Sequence, residues 1–207
     1  MKRAVIAIDG PAAAGKSTIA RKVAQQLGYT YIDTGAMYRA ITLQALKKEV
    51  SLKDEETLQQ LLQQMDLHLK PEEKMQRVFI DGEDVTDYLR SSEVTNAVST
   101  VAQYSKVRAI MVEKQRALAS LGGVVMDGRD IGTEVLPKAD IKIFMTASVE
   151  ERAERRYLEN QSRGIDTPLA ELQKEIAERD AQDMNREVSP LRQAEDAHLI
   201  DTTGQTI

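Results

Sequence analysis

Gly10-Pro11-Ala12-Ala13-Ala14-Gly15-Lys16-Ser17-Thr18 carries a G-x-x-x-x-G-K-[ST] pattern between an apolar run, Ala4-Val5-Ile6-Ala7-Ile8, and apolar residues at helical spacing, Ile19, Val23 and Leu27. Backbone N–H groups in such a turn, and in the first turn of the helix it opens, have no intrahelical partner and point at an anion. Glycine at both ends lets the chain curl around phosphate oxygens without a Cβ in the way. The Lys16 ammonium can reach the β- and γ-phosphates of a bound nucleotide, and the Ser17 hydroxyl can ligand Mg²⁺. The chemistry to expect is that of a nucleoside triphosphate, ATP, with Mg²⁺ as its companion ion.

Other charged groups fall where they could hold a second anion. Asp33-Thr34-Gly35-Ala36-Met37-Tyr38-Arg39 follows a second short apolar run, and Arg39 suits bidentate capture of an acceptor phosphate. Asp127-Gly128-Arg129-Asp130-Ile131-Gly132-Thr133 follows a third run. There Asp127 could bind the Mg²⁺ shell together with Ser17, and Arg129 could make a second phosphate contact. Arg152, Arg155 and Arg156 share a face at i, i+3, i+4. Arg179, Asp183 and Arg186 recur at i, i+4, i+7, a pattern that a surface salt-bridge ladder would also produce.

These residues need a scaffold. Five strands, Arg3 to Ile8, Tyr29 to Asp33, Val124 to Asp127, Ile141 to Thr146 and His198 to Asp201, alternate with helical segments. That alternation predicts an α/β fold with a five-stranded parallel sheet and helices on both faces, ligands lying beyond the carboxyl ends of the strands. Asp9, Asp33, Asp127 and Thr146 all fall at such ends. Some ninety residues separate the second and third strands, enough for an inserted α+β lobe. It holds a helix capped within Ser51–Asp54 with Leu58, Leu61, Leu62 and Met65 inward. An Asp81-Gly82 hairpin over 77–85 follows, then a helix whose packed face is Val107, Ile110, Met111, Lys114, Leu118 and Leu121. A capping box at Ser148–Glu151 starts an Arg-rich helix ending near Arg163-Gly164. Thr167 as cap with Pro168 at the first helical position starts the next one, and the pair reads as a lid.

Composition narrows the partners. The 207 residues suit one domain: a core of 1–62, 106–150 and 165–207, an acceptor-binding insert of about 63–105 and a lid of about 151–164. A net charge of −5 with 4% aromatic residues argues against a nucleic-acid polymer, and twelve acids against five bases in 49–93 read as a solvated face. No cysteine is present, which excludes disulfides and thiolate chemistry and fits a cytoplasmic protein. No run approaches membrane-spanning length, and the apolar stretch after Met1-Lys2-Arg3 is too short for a signal peptide. No heptad seam calls for a dimer, so a monomer is expected. His68 and His198 are the only histidines and read as structural, and Gln205-Thr206-Ile207 reads as the approach to a further helix. No Asn precedes a Lys, so a guanine-reading Asn-Lys-x-Asp motif is absent. The residues still leave open a kinase for another small anionic acceptor, or an ATP-hydrolysing switch, although the acidic insert argues against the apolar partner face a switch requires.

The phosphate loop followed by Asp33–Arg39, Asp127–Thr133 and Glu178-Arg179-Asp180-x-x-Asp183-x-Asn185-Arg186 resembles the bacterial cytidylate kinase family, and the likeness runs from Ile6 to Gly204. It includes Thr95–Ser99 and Val107-Arg108 in the long insert. The resemblance implies a P-loop kinase fold and γ-phosphoryl transfer from ATP to CMP or dCMP in pyrimidine metabolism. It implies Arg39 and Arg129 on the CMP phosphate, and Thr34, Ser99, Arg108, Asp130 and Arg186 around the cytosine. Arg179 and Asp183 would reach the sugar; Lys16, Arg129 and, from the lid, Arg152, Arg156 and Arg163 would serve the transferred group. Thr34 stands where the family often has Ser and keeps the hydroxyl. The base chemistry agrees: a carboxylate such as Asp130 accepts from the exocyclic amine of cytosine, whereas the carbonyl of uracil would meet it acceptor to acceptor.

Overall fold

A computed structural model describes residues 3–72, 76–162 and 164–206. Arg163 therefore lies outside the described residues. Five parallel strands form the main sheet: β1 (Val5–Asp9), β2 (Thr30–Asp33), β6 (Val124–Gly128), β7 (Ile141–Thr146) and β8 (His198–Asp201), in the order β2-β6-β1-β7-β8. The two most central strands, β6 and β1, read as apolar runs up to their terminal Asp and Gly residues because both faces are covered. Ile6, Ile8 and Val125 pack under helix α1 (Lys16–Leu27), while Ala7, Val124 and Met126 pack on the opposite face with Ile131 and Val135. Register sets Asp9 beside Gly128 and Phe144, Asp33 beside Asp127, and Thr146 beside Asp201. The strand ends that carry chemistry thus form one line.

Between β2 and β6 the chain builds a second core. Helix α2 (Thr34–Lys47) is capped by Asp33, whose Oδ1 accepts the Ala36 N–H at 2.9 Å. Helix α3 (Glu55–Gln64) is capped by Asp54, within the expected stretch, through the Thr57 N–H. A three-stranded antiparallel sheet follows, β3 (Leu67–Pro71), β4 (Gln76–Ile80) and β5 (Glu83–Asp84), then a 3₁₀ turn (Thr86–Arg90), α4 (Ser92–Ala102) and α5 (Ser105–Ala119). The Asp81-Gly82 turn forms as expected, with φ of 51° and 83°, the paired positive values of a two-residue hairpin. Ile41, Leu58, Leu62, Val78, Val98, Val107 and Met111 share one cluster, so this segment is packed onto α2 and is not a loose flap. Each such side chain, fully buried, stabilises by about 1.5–3 kcal/mol.

Three expectations need correction here. The packed stripe of α5 runs through Val107, Arg108, Met111, Gln115 and Ala119, while Leu118 is 40% and Leu121 93% exposed. The helix stops at Ala119, so Leu121 lies beyond it, and the charged Arg108 takes an inward position. Helix α6 (Val149–Ser162) has half a capping box: Ser148 Oγ accepts the Glu151 N–H, but the Ser148 N–H goes to Thr203 and Glu151 turns to Arg155. Helix α7 (Leu169–Met184) starts after Pro168, which is itself the cap residue with ψ 139°, and no Thr167 side-chain cap forms. The α6–α7 hairpin closes on Ala153, Leu172 and Ile176. A short π-turn (Ile131–Val135) leads from β6 toward β7.

Candidate active site

The phosphate loop is shaped by close contacts. A Cβ on Gly10, at φ +144°, would lie 1.9 Å from the Met145 carbonyl oxygen, so the loop can leave β1 alongside β7 only as glycine. Gly15 precedes α1 with φ 88° and no side chain caps the helix, which leaves its first N–H groups for a ligand. Ala13 also lies at positive φ, 60°, so the loop holds a conformation that an alanine rarely adopts. Gly10, Pro11 and Ala14 shape this turn from below, while Ala12, Ala13, Gly15, Lys16, Ser17 and Thr18 line a cleft of about 480 Å³.

Lys16 is buried, its Nζ donating to the Pro11 carbonyl at 2.6 Å. Burial, with Arg129 nearby, lowers its pKa to about 7. Ser17 Oγ donates to Asp127 Oδ2 at 2.6 Å, and the Tyr31 hydroxyl donates to Oδ1 at 3.1 Å. Burial, then the neighbouring Asp33, pushes the Asp127 carboxyl up to about 6. A buried carboxylate and a hydroxyl beside a phosphate loop are hard oxygen donors of the kind Mg²⁺ takes when substrate phosphates complete its shell. The residues present fit that ion. Among the described residues no group of three or more His, Cys, Asp or Glu could hold a metal by itself.

On the other side of the cleft lie the groups expected around an acceptor. Thr34, Arg39, Ser99, Arg108, Arg129, Asp130, Arg179, Asp183, Arg186 and Arg156 all line the same space as the phosphate loop. Arg108 and Asp130 are 2% and 4% exposed and form an ion pair through Nη2 and Oδ2; Arg108 also donates to the Ala102 carbonyl and lies over the Tyr38 ring. Thr34 Oγ1 donates to the Asp127 carbonyl at 2.8 Å. Asp183 takes Arg129 Nε at 2.9 Å and faces Arg186 at 3.8 Å. Burial pushes its carboxyl up, yet Arg129, Arg179 and Arg186 overcome this and hold it below the ordinary range. Asp183 is 4% exposed and Arg186 lies past the end of α7, so the surface-ladder alternative does not hold. Burial, opposed by Asp33 and aided by Arg90, Arg129 and Arg156, lowers Arg39 to about 10. Burial, then Arg129 and Arg39, lowers Arg179 to about 9. The Nε atoms of both are buried with no hydrogen-bond partner. Guanidinium groups crowded this closely generate a field that an anion would relieve.

Arg152, Arg155 and Arg156, expected to share one face of α6, do not act as one face. Arg152, 3% exposed, donates to Ala147 and Ala12 carbonyls and to Asp180 at 2.5 Å, and it does not line the cleft. Arg155 is drawn to Thr202 at the end of β8. Arg155 and Arg156 both line the cleft, and Arg156, paired with Glu159 at 3.3 Å, lines a second cavity beside it as well. Asp9, noted only as a strand end, is buried and accepts the Ile131 and Gly132 N–H groups at 2.8 and 2.7 Å, which fixes the turn carrying Asp130. Tyr38 and Arg90 line the cleft and were missed. Tyr38 sits inside the quoted Asp33–Arg39 motif, but Arg90 is an isolated base in an acidic stretch and carries no sequence signal.

A phosphate loop on a parallel sheet of this order, facing a second pocket rich in arginine, defines a P-loop phosphotransferase. A family model described as Cytidylate kinase matches residues 6–207. A cytidylate kinase of Geobacillus sp. (strain WCH70) is 61% identical over 202 residues, 98% of this chain and 90% of that protein. One of Exiguobacterium sp. (strain ATCC BAA-1283 / AT1b) is 59% identical over 208 residues, covering 100% and 93%. The solved shikimate kinase from Acinetobacter baumannii in complex with shikimate aligns at 15% identity with a TM-score of 0.43, covering 100% of this chain and 85% of that one. The chain belongs to the cytidylate kinase family.

Proposed function

We infer that this protein transfers the γ-phosphoryl group of ATP to CMP or dCMP, giving CDP or dCDP and ADP, in pyrimidine nucleotide metabolism. The observation that carries the reading is the single cleft in which the phosphate loop faces the buried Arg108–Asp130 pair. The attacking atom is a phosphate oxygen that is already largely ionised near neutral pH, so no strong general base is required. The loop from Gly10 to Thr18 grips the ATP phosphates, with Lys16 at the β and γ positions. Ser17 and Asp127 would hold Mg²⁺, which neutralises phosphate charge when bound. Arg39 and Arg129 hold the acceptor phosphate, and Arg179 with Asp183 holds the sugar. Alignment and charge neutralisation then supply the rate.

Cytosine is read by atoms whose remaining capacity is one-sided. Thr34 has spent its only proton on Asp127, so toward a ligand it can only accept. Asp130 has Oδ2 on Arg108 and offers Oδ1 to the same exocyclic amine. Ser99, Arg108 and Arg186 complete the surround. Uracil presents a carbonyl there, and a site built for such a hydrogen bond rejects the wrong base by about 10⁴-fold. Arg156 and Arg163 serve the transferred group from the lid, about 151–164, while Arg152 supports the loop through the Ala12 carbonyl. The segment of about 63–105 is the acceptor lobe. No helix among the described residues is long and apolar enough to cross a membrane. A cytoplasmic monomer acting on free nucleotides, with no nucleic-acid polymer as partner, completes the proposal. The test is an acceptor panel with ATP and Mg²⁺: CMP and dCMP should be phosphorylated far faster than UMP, AMP or shikimate. A leading rate with any of the other three overturns the reading.

A further inference from the structure

Arg90 ends the 3₁₀ turn of the acceptor lobe, and the next residue, Ser91, caps α4 by accepting the Val94 N–H. Its position is thus tied to the helix that carries Ser99. The guanidinium lines both the main cleft and a second cavity of about 320 Å³ between α4, α6 and α7. Two carboxylates from different elements face it: Glu159 of α6 at 3.3 Å and Asp33, at the end of β2, at 3.8 Å. Glu159 uses its other oxygen for Arg156, also at 3.3 Å. One carboxylate in the lining of the cleft therefore bridges an arginine of the acceptor lobe and an arginine of α6.

The strength of these contacts shows what would replace them. The Arg90 side chain is 45% exposed and that of Glu159 36%, and ion pairs so exposed contribute little. An arginine bound to a phosphate oxygen makes a stronger, charge-assisted hydrogen bond, often two in parallel. Asp33 is itself fixed by capping α2, so it holds Arg90 at the helix start that presents Thr34 and Arg39. Arg39, with its buried Nε unpartnered, feels the positive charge of Arg90, Arg129 and Arg156. The four guanidinium groups converge on one region.

We propose that Arg90 is a further ligand of the acceptor phosphate, beside Arg39 and Arg129, and that Glu159 is the carboxylate that holds it, together with Arg156, until that phosphate binds. The proposal rests on the acceptor reading given above. Arg90→Gln, Arg90→Lys and Glu159→Gln are to be compared with the wild-type protein for CMP affinity by calorimetry, KM for ATP, and thermal midpoint. Arg90→Gln should weaken CMP by about 10- to 100-fold, the loss of one charge-assisted hydrogen bond. Arg90→Lys should fall between it and wild type, with KM for ATP and thermal midpoint close to wild type in both. Glu159→Gln should bind CMP at least as tightly as wild type. CMP affinity unchanged in Arg90→Gln overturns the assignment. An equal loss in Arg90→Gln and Glu159→Gln also overturns it, since the pair would then act only as a strap. Failure of the wild-type protein to bind or phosphorylate CMP instead refutes the acceptor reading itself, so the two failures are distinguishable.

Discussion

Replacing Asp130 by Asn should lower the preference for CMP over UMP about thirtyfold in a protein that still folds. Alanine would be the wrong probe. Arg108 is only 2% exposed, and stripping a buried charge of its partner costs about 3–5 kcal/mol, which would confound any reading of specificity. Asparagine keeps the size and one acceptor oxygen, and the Arg108 link to the Ala102 carbonyl at 2.9 Å survives. A hydrogen bond to an ionised group is worth about 1.5–3 kcal/mol and a neutral one about 0.5–1.5, so CMP should lose about 1 kcal/mol. The amide N–H can donate to the uracil carbonyl that the carboxylate repels, so UMP should regain about 1 kcal/mol. The sum, about 2 kcal/mol, is about thirtyfold at 1.36 kcal/mol per decade. The assay is kcat/KM for each acceptor at saturating ATP, coupled to ADP release. A CMP-to-UMP ratio equal to wild type, in a variant whose thermal midpoint is preserved, would refute the role given to Asp130.

Asp127→Asn should stabilise the nucleotide-free protein while abolishing transfer. The folded-state pKa of about 6 lies above the ordinary 3.8, so the folded chain binds this proton more tightly than the unfolded chain does. The stability the group contributes is present at low pH and lost as pH rises through about 6. A gain of about 1–3 kcal/mol, several degrees in Tm, is expected near pH 7.5, falling to about half at pH 5. The same gain at both pH values in calorimetric scans would contradict the burial argument. Gly10→Ala would drive a methyl to 1.9 Å from the Met145 carbonyl and should cost more than about 4 kcal/mol in urea unfolding. A midpoint near wild type would show that the loop can leave β1 by another path.

The five sheet strands were readable because each is a short, mostly apolar run ending near an Asp, Thr or Gly, and all five appear within two residues of the expected bounds. Strand β3 was not, since Leu67-His68-Leu69-Lys70 alternates beside acidic residues and takes its stability from pairing with β4. The Thr167-Pro168 start failed because proline holds its own φ near the helical value while leaving ψ free, and here ψ is 139°. The site shows the same division. The phosphate loop is one continuous stretch, so its chemistry is visible in order, and Asp127–Thr133 is readable because strand, turn and carboxylates are adjacent.

Arg108 shows where such reading stops. A helical-period reading of α5 passes over it, because a charge beside an apolar stripe is ordinarily assigned to solvent. In the structure it is as buried as its neighbours Val107 and Met111. A guanidinium can occupy that position only if a partner arrives from elsewhere, and here Asp130 does, 22 residues further on, from a turn that Asp9 fixes through two backbone N–H groups. A charge in a buried stripe is therefore a statement about a partner that periodicity cannot name. The replacement of such a pair by well-packed apolar residues is often neutral or stabilising, so stability alone gives little reason for it. Its place in the wall of the cleft that the phosphate loop also lines gives another: the pair sets a carboxylate and a guanidinium side by side there, and the proposed reading of cytosine rests on that placement.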